Sequence, residues 1–196
     1  ALDDGMTFSF GFRAPSRVEL LDSVINNMLE QDLGKQRYSD DDLVVASHQS
    51  EIDSDAVSRL KVLLHNAIDD AEPILTQALG KFVTETKESL ANIASETLSD
   101  EITVDELEQQ FAQGQVLTRS LYHRFAWSKN DGQGQLFMAG ESYCIDTTNS
   151  NNLPLLTENK EITNTDWQQL KTDQASAELL CRLLAEGGWY WQDETD

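Results

Sequence analysis

Basic side chains are scarce in this chain: 14 Lys and Arg stand against 35 Asp and Glu, giving a formal net charge of -21 and a pI near 4.2. A phosphate backbone or an anionic membrane surface is held mainly by Lys and Arg, so neither nucleic acid nor membrane is expected as a partner. The deficit is not local. Residues 1–115 carry 8 basic and 23 acidic side chains and residues 116–196 carry 6 and 12, so no basic module hides inside the average. Cysteine is equally sparse. Cys144 and Cys181 have neither the C-x-x-C spacing of a metal or redox motif nor the density of a secreted disulfide scaffold, and a reduced, cytoplasmic protein is expected. No apolar run approaches the ~20 residues a membrane helix needs, and no signal-peptide pattern stands at the start.

Histidine is too rare, and wrongly spaced, for the metal chemistry that needs it most. A facial iron triad requires two His and a carboxylate in a compact set. His48, His65 and His123 are followed by Gln49-Ser50, Asn66-Ala67 and Arg124-Phe125, so none begins a His-x-Asp or His-x-Glu pair. A G-x-S-x-G elbow, a P-loop and a dinucleotide fingerprint are also missing; Gly132-x-Gly134 sits in a turn without a strand-to-helix context. Asp40-Asp41-Asp42 lacks the glycine and terminal glutamate of a calcium loop and reads as solvated. No catalytic residue and no metal ligand is assigned to this chain, and no cofactor-binding residue can be named.

What is present is a strand, a run of amphipathic helices, and then mixed structure. Met6, Phe8, Phe10 and Phe12 alternate with small or polar residues at the period of two of a half-buried strand. Pro15 ends it, and Ser16-x-x-Glu19 opens a helix as a capping box. Val18, Leu21, Val24, Ile25, Met28 and Leu29 recur at helical spacing, and Gly34 is the expected stop. Lys35 to Asp55 reads as a polar connection with an apolar patch at Leu43 to Val45.

Further helices are expected around Val57 to Ile68, after Pro73 through Val83 with a continuation toward Leu90 and Ile93, and from a Thr103-x-x-Glu106 cap to Gly114. Beyond Gly114, Val116 to Trp127 is rich in β-branched and aromatic residues, and His123 is expected in a strand. Asn130 to Gly134 reads as a turn, and Gly140-Glu141 as the tip of a tight hairpin between Leu136–Ala139 and Ser142–Ile145. Leu153 to Leu156 form an apolar run. Helices around Thr165 to Leu170 and Gln174 to Glu186 precede an aromatic strand at Trp189 to Gln192. Trp189, Tyr190 and Trp191 could serve recognition, but aromatics at a terminal strand are more often core.

The run Ser9-Phe10-Gly11-Phe12-Arg13-Ala14-Pro15, then Glu19-Leu20 and Asp32-Leu33-Gly34, resembles the end of the JmjC (cupin) barrel in bacterial ribosomal oxygenases, the arginine hydroxylases of large-subunit ribosomal protein sixteen. Tyr38-Ser39-Asp40, Gln113 to Leu117 and Gly187-Gly188-Trp189-Tyr190-Trp191 follow in the order of that family, so the resemblance spans nearly the whole chain. It implies an α+β protein with the last barrel strand in 1–15, a helical dimerisation region in 16–114 and a winged-helix-like domain in 115–196. It also implies that Ala1 lies inside a larger protein, just after the last iron ligand. Fe(II) and 2-oxoglutarate would then belong to the intact enzyme, not to this chain, and a basic ribosomal protein would be its substrate.

The broad apolar face of the first helix suggests a homodimer, with Val18, Leu21, Val24, Ile25 and Met28 in the interface. The alternative is a free-standing acidic interaction protein, an adaptor or nucleic-acid mimic.

Overall fold

A computed structural model describes residues 14–37, 39, 48, 50–87, 101–130, 133–146 and 152–192. The alternating Met6–Phe12 segment, the Leu43–Val45 patch, the aspartate triplet, and Leu90 and Ile93 lie outside the described residues. The chain divides into two compact units, residues 1–71 and 72–196.

In the first unit, α1 spans Arg17–Glu30 and opens on the predicted box: the Ser16 hydroxyl accepts from the Glu19 amide at 3.2 Å, and the Glu19 carboxylate accepts from the Ser16 amide at 2.6 Å. Its stop differs from the expected one. Asp32 takes the left-handed position (φ 61°), with Leu33 N–H bonded to Met28 C=O and Asp32 N–H to Leu29 C=O, which is the pairing of a Schellman cap. A short polar side chain tolerates that conformation, so the turn is made two residues before the glycine. Gly34 (φ 71°) follows, in the left-handed region that favours glycine. Helix α2 (Ser54–Asp70) is capped by Asp53, whose carboxylate accepts from the Ala56 amide at 2.6 Å.

The second unit begins with a 3-10 turn at Glu72–Ile74 and α3, Leu75–Thr84. Helix α3 ends at Thr84, with Glu85 in an extended conformation, so the continuation toward Leu90 is broken there. After α4 (Val104–Ala112) come β1 (Leu117–Arg119), β2 (Phe125–Asn130), β3 (Gln133–Met138) and β4 (Glu141–Asp146). Then follow α5 (Asn152–Glu158), β5 (Glu161–Ile162), α6 (Asn164–Leu170), α7 (Gln174–Ala185) and β6 (Trp189–Trp191). The apolar run 153–156 is thus helical. The stretch from Val116 to Trp127 is two strands of different sheets, with His123 in the bend between them.

Two antiparallel sheets result, in the orders β5-β1-β6 and β2-β3-β4. Helices α4, α6 and α7 pack on one another, and the small sheet completes the winged-helix arrangement. Phe111 lies at its centre, stacked on Trp167 at 5.4 Å and edge-on to Trp191 at 5.3 Å. The predicted hairpin joins β3 to β4, but its tip lies one residue earlier than expected: Ala139 (φ 54°) and Gly140 (φ 82°) are both left-handed as a type I′ turn requires, and Glu141 opens β4 opposite Met138.

Helix α3 belongs with these strands. Gly80 sits directly over Phe137, whose ring lies 2.5 Å from where a Cβ would stand, and the Thr84 hydroxyl accepts from the Gly140 amide at 3.3 Å. The sequence reading groups α3 and α4 with the earlier helices in 16–114; their packing puts both in the second unit, α4 through Leu107 and Phe111 in the core and α3 through Ala78 and Gly80 against the strands, while Leu75, Leu79 and Val83 of α3 stay exposed.

Candidate protein-interaction site

The three histidines occupy separate settings. His48 is exposed, and His65 lies on α2 with Nδ1 2.7 Å from the Lys61 carbonyl oxygen. His123 is buried, its Nδ1 3.0 Å from the Ser120 hydroxyl, which also accepts from the Tyr122 amide. Burial holds the His123 pKa below its ordinary value, opposed by the nearby Glu186 carboxylate. Among the described residues, no group of three or more His, Cys, Asp or Glu is arranged to hold a metal ion, and no helix is long and apolar enough to cross a membrane.

Of the residues expected at a dimer interface, Val18 is 74% exposed, Leu21 46% and Ile25 52%, while Val24 and Met28 are half-buried. They share one helix face. Asn27 is the one buried residue of α1; its Oδ1 has no partner among the described residues. Helix α2 buries nothing and leaves Val57, Leu60, Leu64 and Ile68 exposed. The aromatic strand divides between the two roles considered for it: Trp189 is core, Trp191 packs on Phe111, and Tyr190 faces outward.

A feature the sequence reading missed is a groove of about 600 Å³ where the start of α4 faces α7. Ile102, Val104, Cys181 and Ala185 supply its apolar surface, and Glu101, Glu178, Arg182 and Glu186 stand around it. Arg182 is already engaged, with Nε 3.0 Å from Glu186 Oε1 and its guanidinium 4.8 Å above the Tyr143 ring. The Tyr143 hydroxyl donates to the other Glu186 oxygen, and burial pushes the phenol pKa well up. Burial likewise raises the Cys181 thiol to about 11, with Glu178 and Glu106 adding to the shift. Spacing along the chain could not reveal this site, because its two walls are more than seventy residues apart.

Helices α4, α6 and α7 with the β5-β1-β6 sheet make the second unit a winged helix, and the groove beside α7 is bordered mainly by carboxylates. Residues 63–190 match the family described as ROXA-like winged helix, and the chain belongs to that family. The ribosomal protein uL16 3-hydroxylase of Escherichia coli (strain K12) is 26% identical over 192 residues, covering 98% of this chain and 49% of that protein. The crystal structure of Escherichia coli ribosomal oxygenase YcfD superposes with a TM-score of 0.68 at 22% identity, over 92% of this chain and 47% of that one. The structure of YcfD in complex with cobalt and 2-oxoglutarate gives 0.67 at 21%, over 93% and 48%. The resemblance read from the glycine–arginine–proline junction and the later motifs is therefore borne out. The chain spans about half the length of the relatives it matches.

Proposed function

We propose that this chain is the C-terminal part of a larger Fe(II)- and 2-oxoglutarate-dependent ribosomal oxygenase that hydroxylates an arginine on a large-subunit ribosomal protein in the cytoplasm. The observation that carries the reading is the alignment of 98% of the chain with about half of a uL16 hydroxylase. Residues 1–15 would close the cupin barrel, the exposed faces of α1 and α2 would provide the dimerising surface, and the winged-helix-like domain would take in α4 together with 115–196. The described residues do not fit an iron site, since their three histidines do not converge with carboxylates, so no catalytic step is assigned to them. The chain's own work is association and partner binding. Its acidity suits a basic substrate, because complementary fields speed encounter and help select the partner, and it disfavours nucleic acid and anionic membranes.

Incubating this chain with Fe(II), 2-oxoglutarate, oxygen and a basic ribosomal protein should give no hydroxylation, while the complete protein should turn over. Turnover by the chain well above a metal-free control would sink the assignment. So would a product near 22 kDa as the only form in native cells, which favours the free-standing adaptor.

The exposed face of α1 supports a homodimer built on Val18, Leu21, Val24, Ile25 and Met28. Burying such side chains is worth about 1.5 to 3 kcal/mol each before ordering costs. The Val24→Asp, Met28→Asp double variant should sediment as a monomer where the unmodified chain sediments as a dimer. A monomeric unmodified chain at micromolar concentration would refute this role.

A further inference from the structure

We propose that the groove between the start of α4 and α7 is a docking site for a basic peptide segment that carries one apolar anchor side chain. Two features define the occupant. Ile102, Val104 and Cys181 pack against the hydrophobic core from below, so the groove is a wettable opening onto an apolar floor, which gains from an aliphatic or aromatic side chain. The surrounding charge then selects what flanks that anchor.

Glu186 is paired with Arg182 and accepts from the Tyr143 hydroxyl, and among the described residues no ion pair joins Arg182 to Glu178 or Glu101. Glu178 accepts only from the neutral Gln174 amide, at 2.7 Å, and Glu101 has no partner among the described residues. Two uncompensated carboxylates from different elements therefore border one apolar floor. The positive end of α4, which would repel a cation, is closed by the Thr103–Glu106 capping box. A segment with arginines or lysines beside a leucine-like residue satisfies both features; an acidic or purely polar segment satisfies neither.

This inference rests on the ribosomal-oxygenase reading only for the origin of the peptide. Binding is measured on this chain alone and turnover on the complete protein, so the two can fail separately. The probe is a short fluorescein-labelled peptide with arginines on both sides of a central leucine, followed by anisotropy at two salt concentrations. Saturable binding is expected. Glu101→Gln combined with Glu178→Gln should weaken it roughly tenfold, which corresponds to about 1.4 kcal/mol, and should flatten its salt dependence. Replacing the peptide's leucine by serine should weaken binding several-fold, and Ala185→Trp should block the floor. Because Ala185→Trp can disturb α7, the exposed glutamates provide the decisive variant, with circular dichroism checking that the fold is kept. Bound peptide should also slow alkylation of Cys181 without slowing that of the exposed Cys144. Absence of binding to the unmodified chain would overturn the proposal. So would equal binding by the double variant, or by the leucine-free peptide, since attraction to a chain of charge -21 would then suffice.

Discussion

Helices α1 and α2 keep Val18, Ile25, Val57 and Leu64 exposed, and Asn27 and Ala71 are the only buried residues among those described in 1–71. In residues 72–196, helices of the same amphipathic grammar enclose Leu107, Phe111, Trp167, Leu180 and Trp189, each almost wholly removed from solvent. Periodicity thus says that a face will be covered, not by what. In the second unit, strands and helices from distant parts of the sequence close over one another, except along α3, where Leu75, Leu79 and Val83 stay exposed. In the first, the apolar stripes remain available to another surface, which suits an association element. The contrast also separates caps from cores: α1, α4 and α6 all carry complete capping boxes, yet only the latter two are anchored in a core.

The sharpest way to break this comparison is to cut a cavity in each unit. Trp167→Ala or Leu180→Ala should cost about 2 to 5 kcal/mol in denaturant unfolding of the second unit, whereas Val18→Ala should stay within about 0.5 kcal/mol for a monomeric chain. Equal effects would mean that the first unit has a core of its own. Next in size is Gly80→Ala. Its methyl would collide with the buried Phe137 ring, so a loss of about 1 to 3 kcal/mol is expected from overpacking, despite the better helix propensity of alanine. A more stable variant would refute the close approach of α3 to β3.

A smaller effect should appear on the acid side. His123 is held neutral, with its folded pKa below the ordinary 6.5, so the unfolded chain binds more protons in that interval and stability falls as pH drops from about 6.5 through the folded value. His123→Gln should flatten the loss of melting temperature over that range and leave the neutral side nearly unchanged. An unaltered acid limb would place the sensitivity elsewhere. The smallest effect should belong to Lys171→Ala. Its ammonium meets Glu108 at 2.9 Å on a largely solvated surface and helps hold that carboxylate's pKa down, so a change of no more than about 0.5 kcal/mol is expected in thermal melts.

Much of the fold was legible because local signals carried it. Ser16 and Thr103 cap their helices through their own side chains where the sequence placed them, and the hairpin forms one residue earlier than read, on Ala139-Gly140. Where the reading failed, non-local contacts decided. The β-rich run 116–127 is divided because Leu117 pairs with Trp191 and Ile162, while Phe125 pairs with Met138. Leu153 to Leu156 is too short for periodicity to tell helix from strand.

The sequence by itself determined the charge, the caps, the apolar stripes and the absence of an iron-triad pattern, because each is written in the identity or near spacing of residues. Tertiary structure alone decided that α3 joins the second unit, that Trp189 is core while Tyr190 is not, and that Ile102 and Cys181 share a groove bordered by Glu101 and Glu178. The physical reason is that burial and electrostatic pairing depend on distance in space, and chain closure brings together residues between which the sequence records no relation.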